Sequence, residues 1–393
     1  MLYRALGRTG EDVSILGFGC MRLPVIDGRR DRIDVPLATD MLHYAIDHGV
    51  NYVDTAFPYH GVVHGAPGMS EPFVGEALRG GYRERVLLAT KLPSWLVESR
   101  AHMDILLNGQ LERLKTDHID CYLVHGLNAG SWSRLTQLGV LEFLDAALAE
   151  GRIRHAGFSF HDDAPVFGPV VDAYDWAFCQ IQYNYMDVGY QAGRAGLRYA
   201  AERGLGVIVM EPLRGGRLAD RIPPVVQAVW ETASVHRTPV GWALRYVWDD
   251  SGVSLLLSGM SAMDHVIANI GVAEDGLPGS LSTGEHHLIE RVAQVYRSMT
   301  KADCTGCRYC TPCPLGVDIP EVLAHLNDAC LYGDVQGERD VYAMKGVGKA
   351  SNCTRCGQCE EVCPQHIDIM DMLEEAVGVL ERPVLVERPL RFE

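Results

Sequence analysis

Along the chain, short apolar runs rich in β-branched and aromatic residues alternate with longer stretches whose apolar positions return every three or four residues. The first pairs are VSILGFGC then ATDMLHYAIDHG, NYVDTA then SEPFVGEALRG, RVLLATKL then HMDILLNGQLERLKTD, and HIDCYLVHG then GVLEFLDAALAEG. Four more follow: IRHAGFSF then APVFGPVVDAYD, WAFCQIQYN then GRAGLRYAAERG, GVIVMEPL then the helices of 223–249, and GVSLLLSG then SAMDHVIANIG. Runs that are apolar on both faces predict buried strands, and helices between them predict parallel pairing. Eight such units over residues 1–290 predict an α/β fold, a closed (β/α)8 TIM barrel. An open doubly wound sheet fits less well, because no GxGxxG follows the first strand. Residues 1–13 precede the first barrel strand and are expected to cap the barrel's bottom.

In such a barrel, chemistry sits at the C-terminal ends of the strands. The second strand ends at Asp54 with Tyr59 in its loop, the third ends at Lys91 and the fourth at His125. Each alone has an ordinary explanation: a turn-forming Asp, a solvated Lys, a hydrogen-bonded His, a rim Tyr. Together on three consecutive strands they make chemical sense. A lysine cation favours the phenolate and should lower the tyrosine pKa, a carboxylate holds the lysine charged, and the phenol becomes a general acid usable near neutral pH.

With these residues the chain resembles the aldo/keto reductases over roughly residues 1–275, through DTAFPY, ATK and IDCYLVH. The resemblance implies a catalytic tetrad of Asp54, Tyr59, Lys91 and His125, in which Tyr gives a proton to the carbonyl oxygen, His orients it and a nicotinamide supplies hydride. It implies that Ser159 and Gln180 hold the nicotinamide carboxamide. It also implies that the loops PLRGG (Leu213, Gly215, Gly216) and SGMSAMDHVIAN (Ser258, Gly259, Ser261, His265, Asn269) meet the pyrophosphate and adenosine, with Asn269 near the adenine. The chain departs from the pattern at Phe160, which stands where an Asn usually follows the Ser, and at Met210, where an aromatic often stacks on the nicotinamide. Gly259 and His265 stand where many relatives carry Lys and Arg for the 2′-phosphate, so NADP and NAD both stay open. The loop HGVVHGAPGM after Tyr59 reads as solvated.

The cysteines divide the chain. Cys20, Cys121 and Cys179 are scattered in apolar contexts, whereas nine others lie between Cys304 and Cys363. Cys304, Cys307, Cys310 and Cys313 form C-x2-C-x2-C-x2-C-P, and Cys353, Cys356, Cys359 and Cys363 form C-x2-C-x2-C-x3-C-P. In the second pattern three thiolates hold one iron-sulfur cubane and the Cys before Pro serves a neighbouring cluster. Structural zinc takes four thiolates rather than triplets with a distant partner, and disulfides do not suit a reducing compartment. CPLGVDIPEVLAHL and CPQHIDIMDMLEEA repeat one another, each with an Asp (Asp318, Asp368) placed to start a helix. Two equivalent halves imply two [4Fe-4S] clusters in a small, mainly helical ferredoxin-like domain over residues 291–393, and the stretch of about 300–380 resembles helical two-cluster ferredoxins. Cys330 falls outside both motifs and reads as packing.

A formal net charge of −16 disfavours nucleic acid or anionic membrane as partners. The N-terminus has no apolar run behind a basic start and no stretch is long enough to span a bilayer, so a cytoplasmic protein is expected. Three functions fit the residues. One is a nicotinamide-dependent enzyme that reduces a small carbonyl or oxidises an alcohol, whose clusters are structural, sensing or a link to a redox partner. The others are an electron-transfer protein whose barrel docks a partner, and a lyase or isomerase that keeps the tetrad.

Overall fold

The computed structural model describes residues 1–63, 65–219, 222–302, 304, 310–344, 346, 348–363 and 366–381. The chain divides into two compact units, Met1–Asp220 with Val235–His287, and Arg221–Ser234 with Leu288–Glu393. The helix Pro224–Trp230, expected in the barrel series, groups with the second unit. The boundary expected at 290 falls inside one continuous helix, Thr283–Ser298.

The first unit opens with an antiparallel pair, β1 (Tyr3–Ala5) and β2 (Asp12–Ser14). Eight parallel strands then close into a barrel: β3 (Leu16–Gly19), β4 (Tyr52–Asp54), β5 (Leu87–Leu92), β6 (Ile119–Leu127), β7 (Ile153–Phe160), β8 (Phe178–Gln182), β9 (Gly206–Met210) and β10 (Leu255–Ser258), with β10 pairing back to β3. The helices between them start where the sequence supplies caps and stops. Asp34 accepts from Leu37 N with Pro36 in the first turn of Val35–Asp47, Ser99 caps Arg100–Leu114, and Thr238 caps Pro239–Asp249. A helix that the apolar pattern did not predict, Ala129–Gln137, follows β6 behind a capping box of Asn128 and Ser131.

Period-two alternation fills the barrel. Tyr52, Leu87, Ala89, Cys121, Leu123, Phe178, Ile208, Leu255 and Leu257 form one buried cluster, joined by Leu6 and Val13 beside the N-terminal hairpin. The hairpin residues thus plug the barrel end where the strands begin. Glycine is required where strands meet these side chains: a Cβ on Gly157 would lie 2.6 Å from the Phe178 ring, and one on Gly17 within 2.9 Å of Leu255 and Leu257.

The second unit is helical, with Ile319–Tyr332, Val335–Met344 and Ile369–Ala376 around a core of Val322, Leu323, Leu326, Ile369, Leu373 and Ala376. Both repeat halves behave alike, since Asp318 and Asp368 each occupy the position before a helix with ψ of 81° and 71°. No helix among the described residues is long and apolar enough to cross a membrane.

Candidate active site

The alternation that packs the barrel also aims its chemistry. Ala89 and Leu123 face the interior, so Lys91 and His125, two residues on, project from the same face at the strand ends; Asp54, Gln180 and Met210 follow Tyr52, Phe178 and Ile208 in the same way. Lys91 is fully buried. Its Nζ donates to Asp54 Oδ1 and Oδ2 at 2.8 and 2.6 Å, to Thr55 O at 2.9 Å and to Tyr59 Oη at 3.4 Å. One ammonium therefore joins the β4 carboxylate to the phenol of the following loop.

His125 is set by an irregularity in β6. The pairing of β6 with β7 shifts register between Val124 and Leu127, and Gly126 takes a φ of 62° there. Such a bulge re-aims a side chain beside a site. Gly126 N donates to Ser159 Oγ at 2.7 Å, locking the bulge to β7. The His125 ring then meets Tyr59 edge-on at 6.3 Å between centroids and lies 5.2 Å from Trp95. Trp95 was not singled out by sequence pattern, because one aromatic in a short loop carries no periodic signal.

Burial decides the protonation states. It pulls Lys91 down, but Asp54 and Tyr59 together outweigh it and hold the ammonium charged. It raises Asp54 against the pull of Lys91. For Tyr59 it overcomes the lysine cation, so the phenol stands above its ordinary value. The expectation that Lys91 would bring the tyrosine pKa down is thereby corrected: desolvation of the phenolate is the larger effect in this protein. His125 lies well below the usual imidazole range, through burial first and then Lys91 and His161. The site at neutral pH thus combines a neutral phenol, a neutral imidazole and the Lys91 ammonium paired with the Asp54 carboxylate.

Beside this cluster are the residues expected at the nicotinamide. Ser159 and Gln180 are buried on neighbouring strands. Gln180 Nε2 lies 3.4 Å from Met210 Sδ, while Gln180 Oε1 is buried and has no hydrogen-bond partner among the described residues. An orphaned amide oxygen fits a group bearing an N–H, such as a carboxamide. Leu213 precedes a tight turn in which Gly215 and Gly216 have φ of 70° and 97°, and Gly216 borders open space. The turn leaves room for a phosphate.

The last loop is less open. Asn269 is buried and its Nδ2 donates to Ser258 Oγ at 3.0 Å, while Ser261 N lies 3.4 Å from His265 Nδ1. Against Gly259 packs Arg22, whose guanidinium pairs with Glu211 at 3.5 Å and reaches Gly215. Sequence reading passed over Arg22, which brings a cation between the two expected cofactor loops. It also passed over Glu71, fully buried, which accepts from Thr90 Oγ1 (2.7 Å), Gln110 Nε2 (2.8 Å) and Arg113 Nε (2.8 Å). Gln110 Nε2 also donates to Lys91 O at 3.0 Å, so this network fixes the backbone under Lys91.

In the second unit, Cys304, Cys310, Cys313, Cys353, Cys359 and Cys363 pack on one hydrophobic core, and Cys356 is exposed. Cys307 lies outside the described residues. Arg355, between two cysteines of the second triplet, pairs with Asp371 at 2.6 Å and Glu374 at 3.0 Å, and its backbone N donates to Cys353 Sγ at 3.4 Å. Burial raises the Cys359 thiol, and Cys353 and Cys356 push it the same way. A backbone N–H aimed at the Cys353 sulfur is a contact that iron-sulfur ligation uses, while among the described residues no three ligating side chains are gathered closely enough to hold a metal ion.

The aldo/keto reductase family model matches residues 15–280, and a 4Fe-4S dicluster domain matches residues 303–367. L-galactose dehydrogenase of Arabidopsis thaliana is 27% identical over 290 residues, covering 68% of this chain and 86% of its own. The 6-dehydroglucose reductase of Novosphingobium aromaticivorans is 29% identical over 258 residues, 61% of this chain and 81% of its own. Among solved structures, the aldo-keto reductase AKR11C1 from Bacillus halodurans aligns with a TM-score of 0.61 at 27% identity, covering 74% of this chain and 96% of its own. The chain belongs to the aldo/keto reductase family of oxidoreductases, its barrel followed by a 4Fe-4S dicluster domain.

Proposed function

We propose that the barrel reduces a small hydroxylated aldehyde or ketone, or oxidises the matching alcohol, with NADP or NAD as cofactor and Tyr59 as general acid. The observation that carries this reading is the Lys91 ammonium joined at once to Asp54 and to the Tyr59 hydroxyl. Tyr59 holds its proton at neutral pH and gives it to the carbonyl oxygen. Lys91, kept charged by Asp54, then stabilises the phenolate that remains. Neutral His125 directs a ring nitrogen at the carbonyl oxygen and fixes its approach. A nicotinamide bound beside them would supply the hydride for the carbonyl carbon. Gln180 and Ser159 would hold its carboxamide, and the turn at Leu213, Gly215 and Gly216 its pyrophosphate. Ser258, Gly259, Ser261, His265 and Asn269 would flank the adenosine. Two relatives are named for sugars, which supports a polyhydroxylated substrate.

The second unit would hold two [4Fe-4S] clusters with crossed ligation: Cys304, Cys307 and Cys310 with Cys363, and Cys353, Cys356 and Cys359 with Cys313. Hydride transfer moves two electrons in one step and draws on neither cluster, so the clusters serve structure, sensing or one-electron exchange. Oxidation of NADPH and NADH, followed at 340 nm with glyceraldehyde on anaerobically purified protein, tests the reading. Substrate-dependent oxidation of one nicotinamide is expected; its absence with both, and with a panel of other aldehydes, contradicts the reading.

A further inference from the structure

We infer that His161 and Gln191 form a substrate-reading pair beside the tetrad, taking a hydroxyl group on a carbon next to the reacting carbonyl; the inference rests on the carbonyl-reductase reading above. His161 comes directly after β7, two residues beyond Ser159, and its backbone N–H extends the strand ladder by donating to Leu127 O at 2.9 Å. Its ring packs over Gly126, where a Cβ would stand 3.8 Å from His161 Cδ2. Gly126 adjoins His125, so both imidazoles line the same barrel mouth, close enough that His161 helps to lower His125. By residue surface His125 is partly buried, whereas His161 keeps an exposed face.

Gln191 approaches from the loop after β8, with Nε2 3.5 Å from His161 Nδ1. It is held at φ 53°, a left-handed geometry uncommon for residues other than glycine. Its Oε1 is buried without a hydrogen-bond partner among the described residues. Folds leave few such oxygens unmatched, and a ligand donor would match this one.

Protein atoms around the ring hold His161 below the ordinary imidazole range, leaving it one N–H and one lone pair at neutral pH. With Nδ1 turned to Gln191, Nε2 is the nitrogen left for a ligand. An imidazole nitrogen and an amide oxygen together offer a donor and an acceptor, and an alcohol hydroxyl is both at once. Trp95, tilted against His125, adds a flat apolar face. Aromatic surface with a donor and acceptor pair suits a short polyol, whose C–H face is apolar and whose edge is hydroxylated. A deoxy aldehyde fills the same volume and leaves the pair unmatched.

The test compares kcat/KM for D-glyceraldehyde and for propanal in the parent protein, His161→Phe, Gln191→Leu and His161→Gln. The glyceraldehyde to propanal ratio should fall at least about tenfold in the first two variants, whatever factor both rates lose in common, and recover in part in His161→Gln, which keeps a donor and an acceptor. An unchanged ratio in both variants overturns the inference, since a merely structural role lowers the two rates together. Binding of the two aldehydes, followed by tryptophan emission, is measured alongside. Should the parent turn over no aldehyde, the reductase reading fails by itself and binding decides the pair. A glyceraldehyde preference erased in His161→Phe sustains it, and no preference in the parent sinks it.

Discussion

Lys91 Nζ lies 2.8 and 2.6 Å from the two carboxylate oxygens of Asp54, and both side chains are shut away from solvent. Breaking such a pair from one side leaves a buried carboxylate with no counter-charge and costs about 3–5 kcal/mol. Lys91→Met should therefore lose about that much barrel stability in urea titrations, and Lys91→Met with Asp54→Leu should lose less than Lys91→Met alone. A double variant weaker than the single would show that the two residues are not one unit.

The pH dependence of carbonyl reduction follows from the directions at Tyr59 and His125. Burial raises Tyr59, so its proton-bearing form persists as pH rises and reduction should fall only above the ordinary phenol pKa of about 10. Burial, Lys91 and His161 lower His125, so it stays neutral on the acid side and no loss should begin at or above the ordinary imidazole pKa of about 6.5. The kcat/KM profile for reduction should be flat between those limits. An alkaline limb centred below about pH 8 would mean that the lysine cation, and not burial, governs the phenol.

Gln180 Oε1 is buried without a partner among the described residues, so Gln180→Leu removes an unmatched acceptor. Without cofactor the variant should be as stable as the parent or more so, while nicotinamide dinucleotide affinity falls about tenfold, the worth of one good hydrogen bond. Thermal unfolding and fluorescence titration read the two effects separately. Unchanged affinity would move the carboxamide elsewhere.

Crossed ligation of the clusters is tested by Cys313→Ala prepared anaerobically and examined by Mössbauer and EPR spectroscopy. The cluster of the Cys304 triplet should persist and that of the Cys353 triplet should be damaged. Loss of the first cluster alone would mean that each motif serves itself.

Much of this was legible in the residues. The barrel strands could be read because each is apolar on both faces, and Asp54, Lys91 and His125 because period-two alternation continues to the strand ends. The helix Ala129–Gln137 escaped because its apolar positions are sparse and its only strong signal is the Asn128 and Ser131 cap. The bulge at Gly126 shows in sequence only as a glycine in a strand. Glu71 gathers Thr90, Gln110 and Arg113 from distant segments, a contact no local pattern encodes. The direction of the Tyr59 shift was misjudged for a related reason: the lysine is visible in the sequence, but the depth of burial around the phenol is not.

The central claim is that Tyr59 delivers the proton in a nicotinamide-dependent carbonyl reduction. The most direct measurement is the single-turnover rate of nicotinamide oxidation by D-glyceraldehyde in Tyr59→Phe, with cofactor affinity determined on the same sample. Removing only the hydroxyl should leave folding and cofactor binding as in the parent and slow the reaction by ~10²- to 10⁴-fold, the usual contribution of a positioned general acid. A Tyr59→Phe protein that binds cofactor normally and reduces glyceraldehyde at the parent rate would contradict the account.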